Sequence, residues 1–227
     1  MIHTNLMEVL ELLDREKKIY EIFKNCPYQV LKKINVRTYN PRELIIMQGK
    51  SNDNMLFVAD GKVEIYVESE QGKKYSMAIY DKLSFVGELE LFNQKPYMSF
   101  VRAIGRVVLL EIPRDMFLDW LEQDRKFNFY FMSFLSNECY DSMLKMGENT
   151  LYTLKQRICQ FLIENADEKG NMNRVLSAEM LSDRMGVTSR SVHRILKELK
   201  DKDIIEMQRS SVIIKNFEQL LVEKHEK

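Results

Sequence analysis

The chain has 227 residues, 45% of them hydrophobic and 30% charged, a globular composition with length for one large domain or two modest ones. Its 34 basic and 34 acidic side chains cancel, which excludes a polybasic coat and leaves any nucleic-acid binding to a local patch. Three widely spaced cysteines, Cys26, Cys139 and Cys159, exclude a disulfide framework and a clustered metal site, and no run approaches the ~20 apolar residues of a membrane span.

Residues 1–35 predict helix, with Leu6, Val9, Leu10 and Leu13 on one face. The opening "MIHTNLMEVLELLDREKK" lacks a basic start followed by an apolar run, so it reads as an amphipathic helix and not as a signal peptide. A reduced, cytoplasmic protein without a membrane partner is the expectation.

From about Val36 to Ile112 the pattern changes to short runs rich in β-branched and aromatic residues: "RELIIMQG", "MLFVADGKVEIYVES", "KYSMAIYD", "MSFVRAIG" and "VVLLEIP". Asp60-Gly61, Gln71-Gly72 and Gly105 supply turn chemistry between them. Short, evenly spaced strands of this kind predict an antiparallel sandwich or barrel.

Residues 114–149 contain no proline, and Phe131, Leu135, Cys139 and Met143 recur at helical spacing, with Phe134 and Met146 beside them. The apolar repeat is not a strict heptad, so a long core helix and a dimerisation helix both fit. "LYTLKQRICQFLIENA" predicts a further amphipathic helix, ended by "DEKGN".

The last segment carries the functional signal. Ser177 can cap a helix over about Ala178 to Met185, with Leu181 and Met185 buried. Gly186 suits a left-handed turn, and Thr188 can cap a second helix that turns Val192, Ile195, Leu196 and Leu199 inwards. Two such helices form a helix-turn-helix. The 3.6-residue period then presents Ser189, Arg190, His193, Arg194 and Lys197 outwards, with Ser191 in the first turn. The first residues of such a helix meet base edges in the major groove, where arginine bonds guanine bidentately. "DIIEMQRSSVIIKN" predicts two strands and a wing with Arg209 at its tip, near a phosphate or the minor groove.

In chain order, "MLFVADGKVEIY", "FVGELELF", "FVRA" and "LSDRMGVTSRSVHRILKELKDKDII" resemble the Crp/Fnr family of bacterial transcription regulators over nearly the whole chain. The resemblance implies an α+β chain: an N-terminal helix and double-stranded β-roll (jelly roll) sensor over residues 1–112, a dimerisation helix over 113–149, and a winged helix-turn-helix over 150–227. It implies a homodimer on a near-palindromic operator in double-stranded DNA, its recognition helices ~34 Å apart, with RNA polymerase as a further partner. Phe131, Phe134, Leu135, Cys139 and Met143 become the expected dimer interface. Gly87, Glu88, Leu89, Tyr97, Met98, Ser99 and Arg102, with Tyr140 and Ser142 from the long helix, become the expected effector pocket.

The departures matter as much. Cyclic-nucleotide-binding members place an Arg-Ser or Arg-Thr pair on the cyclic phosphate, and this chain has Tyr97 and Met98 there. Neither neutralises a phosphate, which argues against cyclic AMP. The scattered cysteines do not match the iron–sulfur members, and His3, His193 and His225 do not suit a haem ligand in the sensor. No resident cofactor is expected. The pocket fits either a small, largely apolar metabolite or filling by its own side chains. Arg194 matches the family's guanine-contacting arginine, whereas Arg190 stands where a cytosine-reading glutamate is frequent.

Two other classes fit the sequence less well. The chain has no phosphate loop, GxSxG, HExxH or paired Cys and His placed for catalysis, so an enzyme is not expected. A cyclic-nucleotide-responsive regulatory module acting on a partner protein is the alternative, and the missing phosphate arginine counts against it.

Overall fold

The structure, a computed structural model, describes residues 2–51, 53–167, 177–208 and 211–225. Three helices open the chain, α1 (Ile2–Arg15), α2 (Lys17–Phe23) and α3 (Tyr28–Leu31). The buried stripe of α1 is Val9, Leu12 and Leu13. Leu10, expected on that face, is 43% exposed.

The β-roll is a six-stranded sheet: β1 (Asn35–Tyr39), β2 (Leu44–Ile46), β3 (Asn54–Glu68), β4 (Lys74–Tyr80), β5 (Phe85–Val86) and β6 (Phe100–Pro113). Its main path runs β1-β6-β3-β4, with β2 added to β6 and β5 to β3. The sequence suggests turns at Gly61 and Gly105, yet both glycines lie inside the two long strands. The β3–β6 register shifts between Val58 and Lys62, and Gly61 has φ +85°. A Cβ on Gly61 would stand 2.3 Å from the Arg106 carbonyl oxygen, so glycine here permits a bulge and close strand contact instead of a reversal.

A short helix, α4 (Glu88–Asn93), leaves the roll after β5. The uninterrupted helix expected after Pro113 is broken in two, α5 (Arg114–Gln123) and α6 (Arg125–Leu151). Asp124 is extended, and its Oδ1 accepts from the Lys126 and Phe127 amides at 3.0 and 3.1 Å. A side chain that competes for backbone amides in this way ends one helix and caps the next.

Phe85, Phe117, Trp120, Phe127 and Phe131 fill the first core with Phe23 and Phe57. A second cluster inside the roll contains Ile46, Val58, Tyr80, Tyr97, Val101, Ala103 and Leu109.

The remaining elements are α7 (Leu154–Asn165), α8 (Ala178–Met185), α9 (Ser189–Asp201), β7 (Ile205–Gln208), β8 (Ser211–Ile214) and α10 (Phe217–His225). Thr153 and Gln156 form a capping box at the start of α7. Ile158, Cys159, Leu162, Leu181, Val192, Leu196, Leu199, Ile204 and Val212 form their core. Glu223 of α10 is 3% exposed and pairs with Lys155 of α7 and, at 2.5 Å, with Lys202 after α9.

The chain divides into two compact units, Met1–Glu68 with Met77–Glu138, and Ser69–Ser76 with Cys139–Lys227. The hairpin tip at Ser69–Ser76 therefore groups with the second unit, although the sequence assigns it to the sensor.

Candidate functional site

The helix-turn-helix is built from its caps. Ser177 Oγ accepts from the Met180 amide at 3.0 Å and starts α8, which ends at Gly186 with φ +66°. Ser182 Oγ donates to the Val187 carbonyl at 2.7 Å and closes the turn. Thr188 Oγ1 accepts from the Ser191 amide at 3.2 Å and starts α9, whose Val192, Ile195, Leu196 and Leu199 are buried. These four positions leave the opposite face to solvent, and Ser189, Arg190, His193, Arg194 and Lys197 are all exposed on it. Ser191 differs: it is half-buried, and its hydroxyl lies 2.9 Å from that of Thr188. The acidic Glu198, one turn beyond Arg194 at the edge of this face, is bound to Lys155 at 2.8 Å. Among the described residues, a chain without net charge thus gathers exposed cationic side chains along one face of α9.

Strands β7 and β8 pair antiparallel from Ile205↔Ile214 to Gln208↔Ser211, which forms the body of the wing. Arg209, expected at its tip, lies outside the described residues.

The expected effector site begins at Gly87, whose φ of +85° precedes α4. A Cβ there would meet the Tyr97 ring and hydroxyl at 3.2 Å. Tyr97 is 5% exposed and belongs to the inner cluster of the roll. Its backbone is fixed on both sides, with Gly49 N donating to Tyr97 O and Tyr97 N to Lys50 O, each at 2.8 Å. The aromatic side chain therefore occupies interior space beside the Gly-Glu-Leu turn.

Burial divides the residues of the expected pocket. Tyr97, Ser99, Val101 and Ala103 face inwards, so Met98 and Arg102 face out. Arg102 bonds Glu64 at 2.6 Å, and its guanidinium lies 5.4 Å from the Tyr66 ring centroid. Leu89 and Met98 are 51% and 49% exposed. Tyr140 is 64% exposed and lies about 200° around the helix from Glu138, and Ser142 is exposed as well. Leu89, Met98 and Arg102 do not line the interior of the roll.

Two residues without a sequence signal do. Tyr80, at the end of β4, places its hydroxyl between Glu88 and Glu138 of α6. Burial pushes the Glu88 carboxyl up to about 7, and the neighbouring Glu90 and Glu138 carboxylates add to the rise. Burial likewise raises the Tyr80 phenol. The cluster links the turn of the roll to the long helix.

The expected dimer residues also divide. Phe131 is fully buried, 5.1 Å from both Phe85 and Phe117 between ring centroids. Phe134 packs on Phe85 and Tyr80, and Leu135 lies against the first core. Phe131 is thus spent inside the chain, whereas Phe134 and Leu135 are half-buried and keep part of their surface open. Cys139 and Met143 are exposed, as are Phe129, Met132 and Met146, at 75%, 53% and 66%. Phe129, Met132, Ser136, Cys139, Met143, Met146 and Thr150 repeat at alternating intervals of three and four, which is heptad spacing.

A β-roll, a long helix and a winged helix-turn-helix with an open basic face define the class of DNA-binding regulators that join a β-roll to a winged helix. Residues 36–124 match the family described as the cyclic nucleotide-binding domain, and residues 156–222 match the Crp-like helix-turn-helix domain. The chain belongs to the Crp/Fnr family of transcriptional regulators.

It is 22% identical to the cAMP-activated global transcriptional regulator CRP of Salmonella typhimurium, over 79% of this chain and 89% of that one. It is 25% identical to the anaerobic regulatory protein of Bacillus subtilis, over 82% of each chain. Among solved structures, the c-di-GMP-responsive global regulator CLP of Xanthomonas campestris shares the fold with a TM-score of 0.75 and 19% identity, covering 88% of this chain and 99% of that one. A CRP/FNR-family transcriptional regulator from Thermus thermophilus shares it with a TM-score of 0.66 and 18% identity, over 85% and 99%. No helix among the described residues is long and apolar enough to cross a membrane.

Proposed function

We propose that the chain acts as a homodimer on near-palindromic duplex DNA, reading bases through Arg190, His193 and Arg194 and holding phosphates through Ser189, Lys197 and the Thr188–Ser191 turn. The single observation that carries this reading is the uncovered basic face of α9 on a fully packed winged helix. The exposed heptad from Phe129 to Thr150 supports the dimer: packing such a seam against a second copy takes apolar surface out of water and lowers the free energy.

The β-roll, in this reading, takes no cyclic nucleotide. A cyclic phosphate needs a cationic or amide-rich cradle. Here the corresponding strand offers a buried phenol at Tyr97 and a thioether at Met98. The interior is filled by the chain's own Tyr97 ring, and the protein works by binding rather than catalysis, without a resident cofactor. The test is stoichiometry: titration of a bound duplex, followed by sedimentation, should reach equivalence at two chains per duplex. One chain per duplex would refute the dimer, and no complex at any concentration would refute the reading as a whole.

A further inference from the structure

We propose that the Ser69–Ser76 hairpin is a brace on the turn of the helix-turn-helix, with Tyr75 and Lys74 acting as positioning residues for DNA binding through α9. The proposal rests on the DNA-binding reading above and adds to it residues about a hundred positions away in sequence.

The hairpin is closed by its own bonds. Ser69 N donates to Lys73 O at 2.9 Å, Gly72 N to Ser69 O at 2.8 Å and Lys73 N to Ser69 Oγ at 3.1 Å. Two side chains extend from this tip to the turn after α8. The Tyr75 ring lies on Gly186, where an added Cβ would stand 3.0 Å from Cδ2. Gly186 is therefore required twice, for its left-handed φ and for this close approach. The Tyr75 hydroxyl accepts from Asn149 Nδ2 at 3.2 Å, and Asn149 Oδ1 accepts from Arg157 at 2.5 Å. Arg157 also reaches the Met185 carbonyl at 3.5 Å, so the chain of contacts returns to the residue before Gly186. Lys74 pairs with Asp183 of α8 at 3.3 Å, with the two side chains only 16% and 30% exposed.

Helix α8 has eight residues, too few to be stable by itself, so tertiary contacts decide how firmly it holds its angle to α9. A ring on the turn, a partly dried ion pair on α8 and the Asn149–Arg157 relay constrain the same few residues. Arg190, His193, Arg194 and Lys197 stay exposed while these contacts are in place. The brace therefore coexists with an open DNA-binding face. Fixing the turn beforehand removes ordering that binding would otherwise have to supply.

The test uses the full chain in four forms. Lys74→Glu sets like charges against each other, and Lys74→Glu with Asp183→Lys restores the pair in reverse. Tyr75→Ala removes the ring, and Tyr75→Phe keeps it. In the free protein, exchange of the Val187 amide, which bonds Ser182 O at 3.1 Å, reports the turn. It should quicken about tenfold in Lys74→Glu and Tyr75→Ala, and return towards the unaltered rate in the charge swap and in Tyr75→Phe. The ratio of specific to random duplex affinity should fall about tenfold in the first two and recover in the others. Unchanged exchange in Lys74→Glu and Tyr75→Ala would show that there is no brace. Faster exchange with unchanged specificity would overturn the positioning role. An unaltered protein with a protected turn that prefers no duplex would overturn the DNA reading itself, and the positioning role with it.

Discussion

Arg194 and Glu88 show how differently one residue can act in this chain. Arg194 is exposed on α9 with its guanidinium open to a partner. Arg194→Ala should cost about 1–3 kcal/mol of specific binding, a bidentate base contact, with folding and self-association unchanged. Equal discrimination between operator and random duplex in both proteins would remove Arg194 from the readout. Glu88 is the converse, a carboxyl enclosed beside Tyr80 and Glu138 and raised to about 7. Between the ordinary carboxylate range and that value, the folded chain holds a proton that the unfolded chain releases. Its contribution to stability is therefore full at low pH and lost as pH rises through about 7. Glu88→Gln should gain on the order of 2 kcal/mol over the native chain at pH 8 and little at pH 5. Denaturant titrations at the two pH values decide this, and a constant difference would contradict it.

At the scale of elements, the long helix shows what a sequence pattern cannot sort. α6 is apolar on more than one side, because one stripe completes the core of the roll and another is left exposed. The recurrence of Phe131, Leu135, Cys139 and Met143 was legible in the sequence, but it mixes the two stripes. Only packing separates Phe131, wedged between Phe85 and Phe117, from Met132 one residue on. Joint Met132→Glu and Met143→Glu should give folded monomers by light scattering. Phe131→Ser should instead unfold the roll, losing about 3 kcal/mol or more with its buried ring. A dimer that survives the double change would place the seam elsewhere.

The winged unit has its own anchor in Glu223. Its burial raises the carboxyl, but hydrogen bonds and charge from Lys155 and Lys202 outweigh this and leave it below the ordinary range. That contribution to stability is present above the ordinary carboxylate range and is lost as pH falls through the lowered value. Glu223→Gln should cost about 1–3 kcal/mol at pH 7, less than a fully enclosed pair because both lysines keep contact with water. Thermal unfolding that converges for the two proteins at acid pH would agree, and a pH-independent gap would not.

On the scale of the whole molecule, the order of parts was readable because each has its own period. Alternating strands, a long helical run and a capped helix pair around Gly186 leave distinct signatures. The caps at Ser177 and Thr188 and the four inward positions of α9 follow from spacing alone. What stayed hidden depends on contacts distant in sequence. Arg102 reads as a pocket residue until the sheet shows it bound to Glu64 on the outer face. Tyr80 and Glu138 carry no local signal and meet Glu88 only in the fold. Gly61 and Gly105 read as turns because a glycine in a bulge looks the same in sequence as a glycine in a hairpin. For the filled roll, millimolar cyclic AMP should leave the melting temperature unchanged, since a ligand of the native state must raise it by mass action. A concentration-dependent rise would mean that Tyr97 yields its place.

The central claim is that α9 of two chains reads DNA, and selection of bound sequences from random duplexes by the purified, ligand-free protein tests it most directly. The account predicts a two-fold symmetric motif with half-sites about one helical turn apart. Enrichment of an asymmetric sequence, or of none in either the presence or the absence of a cell extract, would contradict it.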